Sequence, residues 1–487
     1  MSIELTAFGA GFIPICLLVM GNLDRLLCLT LLASAFEAAS VLNITLGGIS
    51  FGVQPAYFSG GLLCLFMALG YLTSPALKVK PQVVRVAFPL ILFVGYAIIS
   101  SFLLPRLFQG AVSVWPQRLE PNAPFAVLLA PSSGNTTQAL YLLLSLGIFI
   151  CALLRCLHNP RLAATLLKTY LLCSLIVVLL AFWQLAARTT GLPYPSEFLY
   201  SNPTYAMLSN ANVGGLPRLS GPMTEAAGLA YFLSGTLYTC SWLFMVGERR
   251  RLFTTGLLSL TAVLLALTTS TTGYSVAAIG VVFAFLFAVG AGKTAVQRSM
   301  LVFGGCLLAL LAAIYFVPLL SPRAYEAALS VVDETVSKGQ SQSYEDRTSK
   351  DIDSLFLVLH TYGLGAGWGS VRASSLFSTL VGATGVWGIW LLMWFAARVY
   401  RLVKDLPPRS SLDPVVLMVS QSLIASLIGI LVAALISGPN LTYAGFWINL
   451  GGVVGLALWS NTNRPRKRVP IGSEPLLSTP AMPNARR

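Results

Sequence analysis

The feature that most constrains this chain is a succession of apolar stretches, each long enough to cross a lipid bilayer as a helix. Spanning the hydrocarbon core takes about 20 mostly apolar residues, and such stretches recur from the N-terminus to position 460. Hydrophobic residues make up 56% of the 487 and charged residues only 10%, whereas soluble domains carry about 25% charged residues. The composition excludes a soluble enzyme and a disordered chain, and it predicts an all-α polytopic membrane protein.

The apolar stretches predict about 12–14 transmembrane helices. They form a single transmembrane domain over 1–460, followed by a disordered, basic tail over 461–487. The candidate spans are 8–20, 26–42, 57–73, 86–104, 139–154, 162–185, 226–246, 252–269, 274–290, 299–318, 376–397, 413–436 and 443–460. The N-terminus lacks the basic region of a cleavable signal peptide, so we expect the first span to be retained. No predicted outer loop contains Cys, so neither a disulfide nor a metal site is expected.

Basic residues predict the orientation, because they lie preferentially in short cytoplasmic loops. Clusters of Lys and Arg occupy every second gap between the spans, which places 22 of the 31 basic residues on the cytoplasmic side. Nine basic and eleven acidic residues remain outside, so the formal charge of +14 divides into +16 inside and −2 outside. The surplus charge is therefore a signal of topology. It gives no reason to expect nucleic acid as a partner, and it places the C-terminus in the cytoplasm.

Three segments on the predicted outer face are far longer than the usual connection of about 4–6 residues. They cover 105–138, 188–225 and 321–375, and they are rich in Gly, Pro, Asn and Ser. Long ordered loops often carry function, so we expect the active surface on this face; inert solvated caps are the alternative. Helical spacing predicts amphipathic helices over 322–336 and 353–361, and the third segment is expected to fold over the site as a lid.

A polar segment rich in small residues leads into one predicted span, with the sequence RLSGPMTEAAGLA from Arg218 to Ala230. It places Arg218, Thr224 and Glu225 at the membrane boundary, where the hydroxyl of Thr224 is a candidate to bind the substrate. An Arg there is suited to bind an anion, and Glu225, in the first helical turn, is favoured by the helix dipole and able to act as a base. The alternative is a helix cap beside a solvated Arg.

A second segment, GLGAGWGSVRASS over 363–375, has glycine at four alternating positions before Arg372, Ser374 and Ser375. Glycine permits unusual backbone angles and the close approach of a ligand. A row of backbone N–H groups beside Arg372 is therefore expected to cradle a phosphate, and the hydroxyl groups of Ser374 and Ser375 are candidates to bind the substrate. The segment follows no strand, so it is not a nucleotide-binding loop. A flexible hinge is the alternative.

Two further titratable residues are candidates for acid–base chemistry. His360 directly precedes the glycine-rich segment and is the only histidine in the predicted outer loops, and imidazole titrates near neutral pH. Glu37 falls within the predicted second span, where a carboxylate is a functional hypothesis by default. A structural role is the alternative for both.

Hydroxyl groups crowd one short predicted outer turn, LTTSTTGYSV over 267–276. Ser270 and Thr272 are candidates to donate hydrogen bonds to a sugar or a phosphate. The alternative is that the hydroxyls only satisfy the backbone groups at the ends of two helices.

Taken together and in this order, four motifs resemble those of the bacterial O-antigen ligase and polysaccharide polymerase superfamily, closest to its exopolysaccharide polymerase branch. They are NTTQALYLLL, RLSGPMTEAAGLA, LTTSTTGYSV and GLGAGWGSVRASSLFSTLVGATGVWG, and they cover roughly 135–388. The resemblance implies a membrane-embedded glycosyltransferase of GT-C-like architecture in the bacterial inner membrane, with its active face in the periplasm. It also implies transfer of a glycan from undecaprenyl diphosphate to an acceptor sugar hydroxyl, without a metal or other cofactor.

The resemblance further implies that outer arginines hold the diphosphate, a role that falls on Arg218, Arg372 and Arg347. Glu225 is the first candidate for the base and His360 the second. In two places the chain departs from the ligases, which place a His-Asn pair where this chain has RASS and tend to carry an Arg where it has two threonines. Both departures favour a polymerase over a ligase.

Other functions remain open. A transporter or flippase for lipid-linked glycans is one, although such proteins often show internal repeats and no repeated half is evident here. An O-antigen ligase acting on lipid A core and a non-catalytic assembly partner are two more. The expected partners are the lipid bilayer, the lipid-linked donor, a glycan acceptor, and a chain-length regulator or flippase.

Overall fold

The computed structural model describes most of the chain. The described residues are 2–46, 49–74, 79–116, 125–205, 207, 212–213, 216–247, 251–291, 294, 296–298, 300, 342–404, 414–438 and 441–463. The predicted helix over 322–336 lies outside them, as do nearly all of the predicted span over 299–318 and the tail from position 464 onward.

Fourteen helices contain most of the described residues. They are α1 (Ala7–Val19), α2 (Leu23–Ala33), α3 (Pro55–Thr73), α4 (Pro81–Leu107), α5 (Ser133–His158), α6 (Arg161–Thr190), α7 (Ser196–Leu199), α8 (Ala226–Val246), α9 (Arg251–Leu267), α10 (Thr271–Ala291), α11 (Gln342–His360), α12 (Leu376–Lys404), α13 (Pro414–Ile436) and α14 (Ala444–Thr462). Seven of them, α3, α4, α5, α6, α8, α12 and α13, are long and apolar enough to cross a membrane. The prediction of a mostly helical, polytopic membrane protein is confirmed at this level.

Part of the N-terminal region is not helical, contrary to the all-α prediction. The predicted span over 26–42 is wrong, because α2 ends at Ala33 and the chain continues through turns into strand β2 (Leu42–Leu46). This strand pairs antiparallel with β1 (Ser2–Leu5) and β3 (Ile49–Val53). Two further antiparallel pairs have strands of only two residues each. Ser113–Val114 pairs with Val127–Leu128, and Asn212–Val213 pairs with Leu216–Pro217. The predicted loops over 105–138 and 188–225 thus contain short sheets.

The helix α14 lies in the interior of the bundle, with sixteen of its 19 residues buried. Gly451 lets it approach α5 closely, because a Cβ there would lie 2.6 Å from the carbonyl oxygen of Phe149. Small residues at helix contacts are typical of membrane proteins. A Cβ at Gly455 would likewise meet the carbonyl oxygen of Leu153 in α5, so these glycines allow α14 to occupy the interior beside α5.

The long polar segments meet at one end of the bundle. Two hydrogen bonds join the first and third segments: Asn135 Nδ2 to Trp368 O (2.9 Å) and Arg372 N–H to Trp115 O (2.8 Å). The second segment lies beside the third, because Arg218 is close enough to Arg347 for the charge of Arg347 to lower its pKa. The ion pair between Arg155 and Asp24 (2.7 Å) lies near the other end of α5, about 30 Å away at 1.5 Å per residue. We call the end that carries the polar segments the loop end.

A glycine-rich segment, 363–369, packs against a break in α12. Gly385 interrupts that helix with φ +60° and ψ −158°. The segment supplies hydrogen-bond partners to the broken turn: Ala366 N–H donates to Gly382 O (2.8 Å), Gly367 N–H to Ala383 O (3.0 Å), and Gly363 O accepts from Val386 N–H (3.0 Å). Irregular backbone at membrane depth is tolerated where protein satisfies its polar groups, and here the segment satisfies those of α12.

We expect Gly367→Ala to destabilise the protein by about 2–4 kcal/mol. Gly367 has φ +99°, and an added Cβ would lie 2.7 Å from Ser100 O and 2.8 Å from Pro105 Cδ. Thermal unfolding of the purified protein in detergent measures the effect. Gly95→Ala, in α4 with no atom within 4 Å of the new Cβ, is the matched control and should leave the melting temperature unchanged or slightly raised. Equal melting temperatures for both variants would contradict the close packing.

Candidate functional site

The segment from Arg218 to Glu225 is held in place by the end of α6. The buried side chain of Gln184 accepts hydrogen bonds through Oε1 from the backbone N–H groups of Ser220 (2.9 Å) and Gly221 (2.8 Å). Its Nε2 donates to Tyr200 OH (2.9 Å), which in turn donates to Gly221 O (2.7 Å). Because both the oxygen and the nitrogen of this side-chain amide are hydrogen-bonded, the amide fixes the loop in place. The segment that carries Arg218 and Glu225 is therefore held against the end of α6.

Glu225 is the N-cap residue of α8. Its backbone is extended (φ −151°, ψ 165°), its carbonyl accepts the first helical bond from Leu229, and its carboxylate makes no capping hydrogen bond. The sequence placed Glu225 in the first turn, so the prediction was one residue too far into the helix. Because the carboxylate does not serve the helix end, it is available to interact with the neighbouring side chains, Arg218 among them.

Glu37 lies beside Glu225, in the turn after α2. The prediction that Glu37 lies within a membrane span is therefore wrong. A Cβ built on Gly228 would lie 3.7 Å from Glu37 Oε2 and 4.0 Å from Thr224 Oγ1, so both side chains reach the first turn of α8. Burial, followed by the charge of Glu225, raises the pKa of Glu37 to about 7. We call Glu37 and Glu225 the acidic pair.

Glu37 of the acidic pair borders a small cavity of about 20 Å³, enough to hold a water molecule. Glu37 lines it together with Ser34, Gln54, Tyr57, Thr442 and Tyr443. Gln54 Nε2 donates to Tyr205 OH (3.0 Å) and to the carbonyl of Glu37 (3.4 Å). Glu37 is therefore surrounded by hydroxyl groups and by a space that water can enter.

Four cations from three distant parts of the sequence lie near one another at the loop end, and we call them the basic band: Arg218, Arg347, Lys350 and Arg372. Burial lowers the pKa of Arg218, nearby Glu225 opposes the change, and Arg347 lowers it further. Burial also lowers the pKa of Lys350, Asp346 opposes this, and Arg372 and Arg347 add to it. The cations thus repel one another, and a bound anion would relieve the repulsion.

The middle of the basic band is fixed to the first long segment. Lys350 Nζ lies 4.8 Å from the centre of the Trp115 ring, a cation–π contact. The indole Nε1 of Trp115 donates to Asp353 Oδ2 (2.9 Å), and the carbonyl of Trp115 accepts from Arg372 N–H (2.8 Å). One Trp therefore positions two cations of the band.

Ser374 and Ser375, predicted to bind substrate, take part in the start of α12. Their backbone N–H groups donate to Asp351 Oδ1 at 2.7 Å and 3.0 Å. Ser375 Oγ accepts from Ser378 N–H (3.2 Å), which is an N-capping bond. These contacts give both residues a structural function beside the basic band, and their part in substrate binding stays a prediction.

Arg218 has hydrogen-bonding capacity that the described part of the chain leaves unused. Its Nε is buried without a partner among the described residues, and so are the Oγ1 atoms of Thr269 and Thr272 in the turn between α9 and α10. The same turn leads to Tyr274, which lies close enough to Arg218 to influence its pKa. Ser270, also predicted to bind substrate, is buried in this turn. Buried polar atoms that the described residues leave without a partner are suited to hydrogen-bond a ligand or water.

The expected phosphate cradle in the glycine-rich segment is wrong. All four glycines have positive φ, but the backbone N–H groups of residues 363–368 are already bonded within the protein. Besides the bonds to α12, four backbone N–H groups of the segment donate to other acceptors: Gly363 to Val358 O (2.8 Å), Leu364 to Thr361 O (3.0 Å), Gly365 to Thr361 Oγ1 (2.9 Å) and Trp368 to Ser100 Oγ (3.2 Å). The segment contributes Arg372 to the site, whereas its glycines serve the packing of the helices.

His360 lies away from the basic band. It is exposed in the last turn of α11, thirteen residues after Arg347. At 1.5 Å per residue this separates the two residues by about 20 Å along the helix axis. The structure thus brings together Arg218, Glu225, Arg347 and Arg372 of the predicted site residues and leaves His360 apart.

Sequence reasoning missed two residues of the site, Lys350 and Tyr205. Lys350 follows Arg347 by three residues on α11, a spacing that places both on one helix face, so helical spacing was the signal for it. Tyr205 lies close enough to influence both Glu37 and Arg372, and no sequence motif marks it.

Comparison with protein-family models and with functionally characterised proteins gives no match for this chain. The family resemblance of its motifs therefore stays a prediction, and the site has to be interpreted from its own geometry.

We expect Glu37 to make the stability of the protein depend on pH. The pKa of Glu37 is about 7 in the folded state and 4.5 ordinarily, so the folded state binds the proton more tightly. The stabilisation is present below pH 4.5 and is lost as the pH rises through 7. Between pH 5 and 8 the free energy of unfolding should fall by about 2–3 kcal/mol.

Melting temperatures at pH 5 and pH 8 test this dependence. Glu37→Gln should remove it and raise the melting temperature at pH 8. Glu197→Gln, at an exposed position of α7, is the control and should behave as the wild type. An unchanged pH dependence in Glu37→Gln would show that Glu37 ionises as an ordinary carboxyl group.

Proposed function

We propose that this protein is a membrane glycosyltransferase that transfers a glycan from undecaprenyl diphosphate to an acceptor sugar hydroxyl. The observation that carries the proposal is the meeting of the basic band with the acidic pair at the loop end. A cluster of cations suits a diphosphate, and carboxylates beside it suit removal of a proton. We place the site on the periplasmic face of a bacterial inner membrane, in the synthesis of cell-surface polysaccharide or exopolysaccharide.

The basic band would stabilise the leaving group. In the proposed step the acceptor oxygen bonds to the anomeric carbon of the donor, and the bond from that carbon to the diphosphate oxygen breaks. Negative charge then grows on the diphosphate, so cations that are already in place stabilise the transition state more than the ground state. Arg218 and Arg347 offer planar, bidentate donors for phosphate, and Lys350 adds a point charge.

The acidic pair would accept the hydroxyl proton of the acceptor. Glu225 lies on the rim beside Arg218, so we assign it as the base. Glu37, buried behind it, holds a proton more readily than an ordinary carboxyl group. We infer that the pair shares the incoming proton, since two adjacent carboxyl groups are seldom both ionised.

The proposal is tested with the purified protein in proteoliposomes that contain a lipid-linked oligosaccharide. Longer glycan chains together with free undecaprenyl diphosphate would support a polymerase. Transfer to lipid A core in place of the glycan would make the protein a ligase. Movement of intact donor across the bilayer without bond cleavage would contradict the proposal and indicate a carrier.

We expect His360→Ala to lower the rate of glycan transfer by less than tenfold, because general acid–base catalysis contributes about 100-fold or more and His360 stands about 20 Å from Arg347. Initial rates of glycan transfer measure the effect. A larger loss of transfer rate, at normal protein abundance, would indicate that His360 is a catalytic group. It would also imply that α11 moves during the reaction.

A further inference from the structure

An open groove lies far from the proposed site, between the start of α4 and the last part of α12. It has a volume of about 430 Å³ and is lined by Val79, Pro81, Val84, Arg85, Phe88 and Arg398. Its walls are apolar apart from the two arginines. Both helices are long and apolar enough to span a membrane, so a groove on their outer surface faces lipid.

Arg398 is held in a fixed position beside this groove. Its Nη1 donates to the carbonyl of Arg85 (3.1 Å), and its guanidinium lies 5.2 Å from the centre of the Trp394 ring. Trp394 in turn makes an edge contact with Phe88 at 6.1 Å. Among the described contacts, Arg398 uses one of its five N–H donors for a hydrogen bond, so it can bind an anion without further ordering.

Arg85 brings a second positive charge to the groove. It is the fifth residue of α4 and is exposed, and Arg398 donates to its carbonyl oxygen. The six residues that line the groove thus include two arginines and no acidic residue. An anion in the groove would face both positive charges.

The apolar walls identify what kind of anion fits. Val84 is 48% exposed and Phe88 44%, and Trp390 and Trp387 continue an exposed apolar surface along α12 toward its middle. A small water-soluble anion would leave this surface uncovered, whereas a phospholipid has a phosphate and adjoining acyl chains that match it. Basic pockets between membrane helices are known sites for anionic lipid head groups.

We propose that this groove binds an anionic phospholipid of the bilayer, with the phosphate between Arg85 and Arg398 and an acyl chain along Val84 and Phe88. The site is independent of the proposed glycosyltransferase activity. Because the groove lies at the opposite end of α4 from the loop end, it would bind lipid of the opposite leaflet.

Native mass spectrometry of the full-length protein tests the proposal, with phosphatidylglycerol and phosphatidylcholine of identical acyl chains added in equal amounts. We expect the wild type to retain phosphatidylglycerol at least fivefold over phosphatidylcholine. The double variant Arg85→Gln with Arg398→Gln should lower this ratio below twofold. Arg401→Gln with Lys404→Gln, which removes two exposed charges from the same helix end, is the matched control and should retain the preference.

A second variant keeps the proposal testable if the double variant does not fold. Val84→Trp fills the groove at an exposed position and should lower retention of phosphatidylglycerol at least threefold. An unchanged lipid preference in both variants would overturn the proposal, and so would an equal loss in the control. If the wild type forms a dimer and the variants do not, with lipid retention unchanged, the groove would instead bind a second copy of the chain. That result would also overturn the proposal.

Discussion

Replacing Arg218 by Ala is expected to lower the rate of glycan transfer by about 100- to 1,000-fold, the usual effect of removing one preorganised charge-stabilising donor. Arg218 is the cation of the basic band that lies beside Glu225, and its Nε is buried without a partner among the described residues. Its removal should therefore affect the leaving diphosphate directly. Release of undecaprenyl diphosphate by the purified protein is the measurement.

Two further variants separate binding from catalysis at this position. Arg218→Lys keeps the charge but loses the bidentate geometry, so we expect it to recover part of the lost rate. Arg106→Ala removes an exposed guanidinium that bonds only to the carbonyl of Phe102 among the described contacts, and it should act as the wild type. Wild-type rates in Arg218→Ala at normal abundance would remove Arg218 from the site.

Glu225→Gln is the second variant with a large expected effect, because the amide cannot accept the acceptor's proton. General base catalysis contributes about 100- to 10,000-fold, and we expect a loss of rate within that range. The amide has nearly the same shape as the carboxylate, which makes no capping hydrogen bond, so the fold should persist. The rate is measured as polymer formed per minute across pH 5–9.

The pH profile distinguishes a base from a structural carboxylate. If Glu225 is the base with Glu37 as its proton-sharing neighbour, the wild-type rate should rise with pH as the pair loses its proton, and Glu37→Gln should shift that rise. Asp346→Asn, on α11 beside Lys350, is the control for a change of local charge. A Glu225→Gln variant with the wild-type rate and profile would contradict the assignment.

The helices were largely predictable, because length and hydropathy decide where a membrane span forms. The exception is the region after Ala33, where small apolar residues continued the hydrophobic pattern although the chain leaves the helix. That error placed Glu37 inside the membrane and concealed its neighbour. The residues that contact Glu37 are determined by how the turn after α2 packs on α8. This is a tertiary contact, and no local sequence pattern predicts it.

The candidate site was predictable where polar residues interrupt apolar ones. Arg218, Glu225 and Arg372 were selected in this way and Arg347 through the family resemblance, and the structure brings the four together. The glycine-rich segment was misinterpreted because free and bonded N–H groups look alike in a sequence. The break at Gly385, which requires those N–H groups as partners, is a tertiary feature within a stretch that otherwise matches an unbroken span.

The break in α12 has a consequence for how the protein is made. A membrane helix usually inserts as an independent unit, because its backbone satisfies its own hydrogen bonds. The first nine residues of α12, before Gly385, instead lie against the 363–369 segment, which is synthesised just before them. We therefore expect the segment and the first part of α12 to enter the bilayer as one unit, because deletion of residues 363–369 would leave the backbone groups of Gly382, Ala383 and Val386 without these partners.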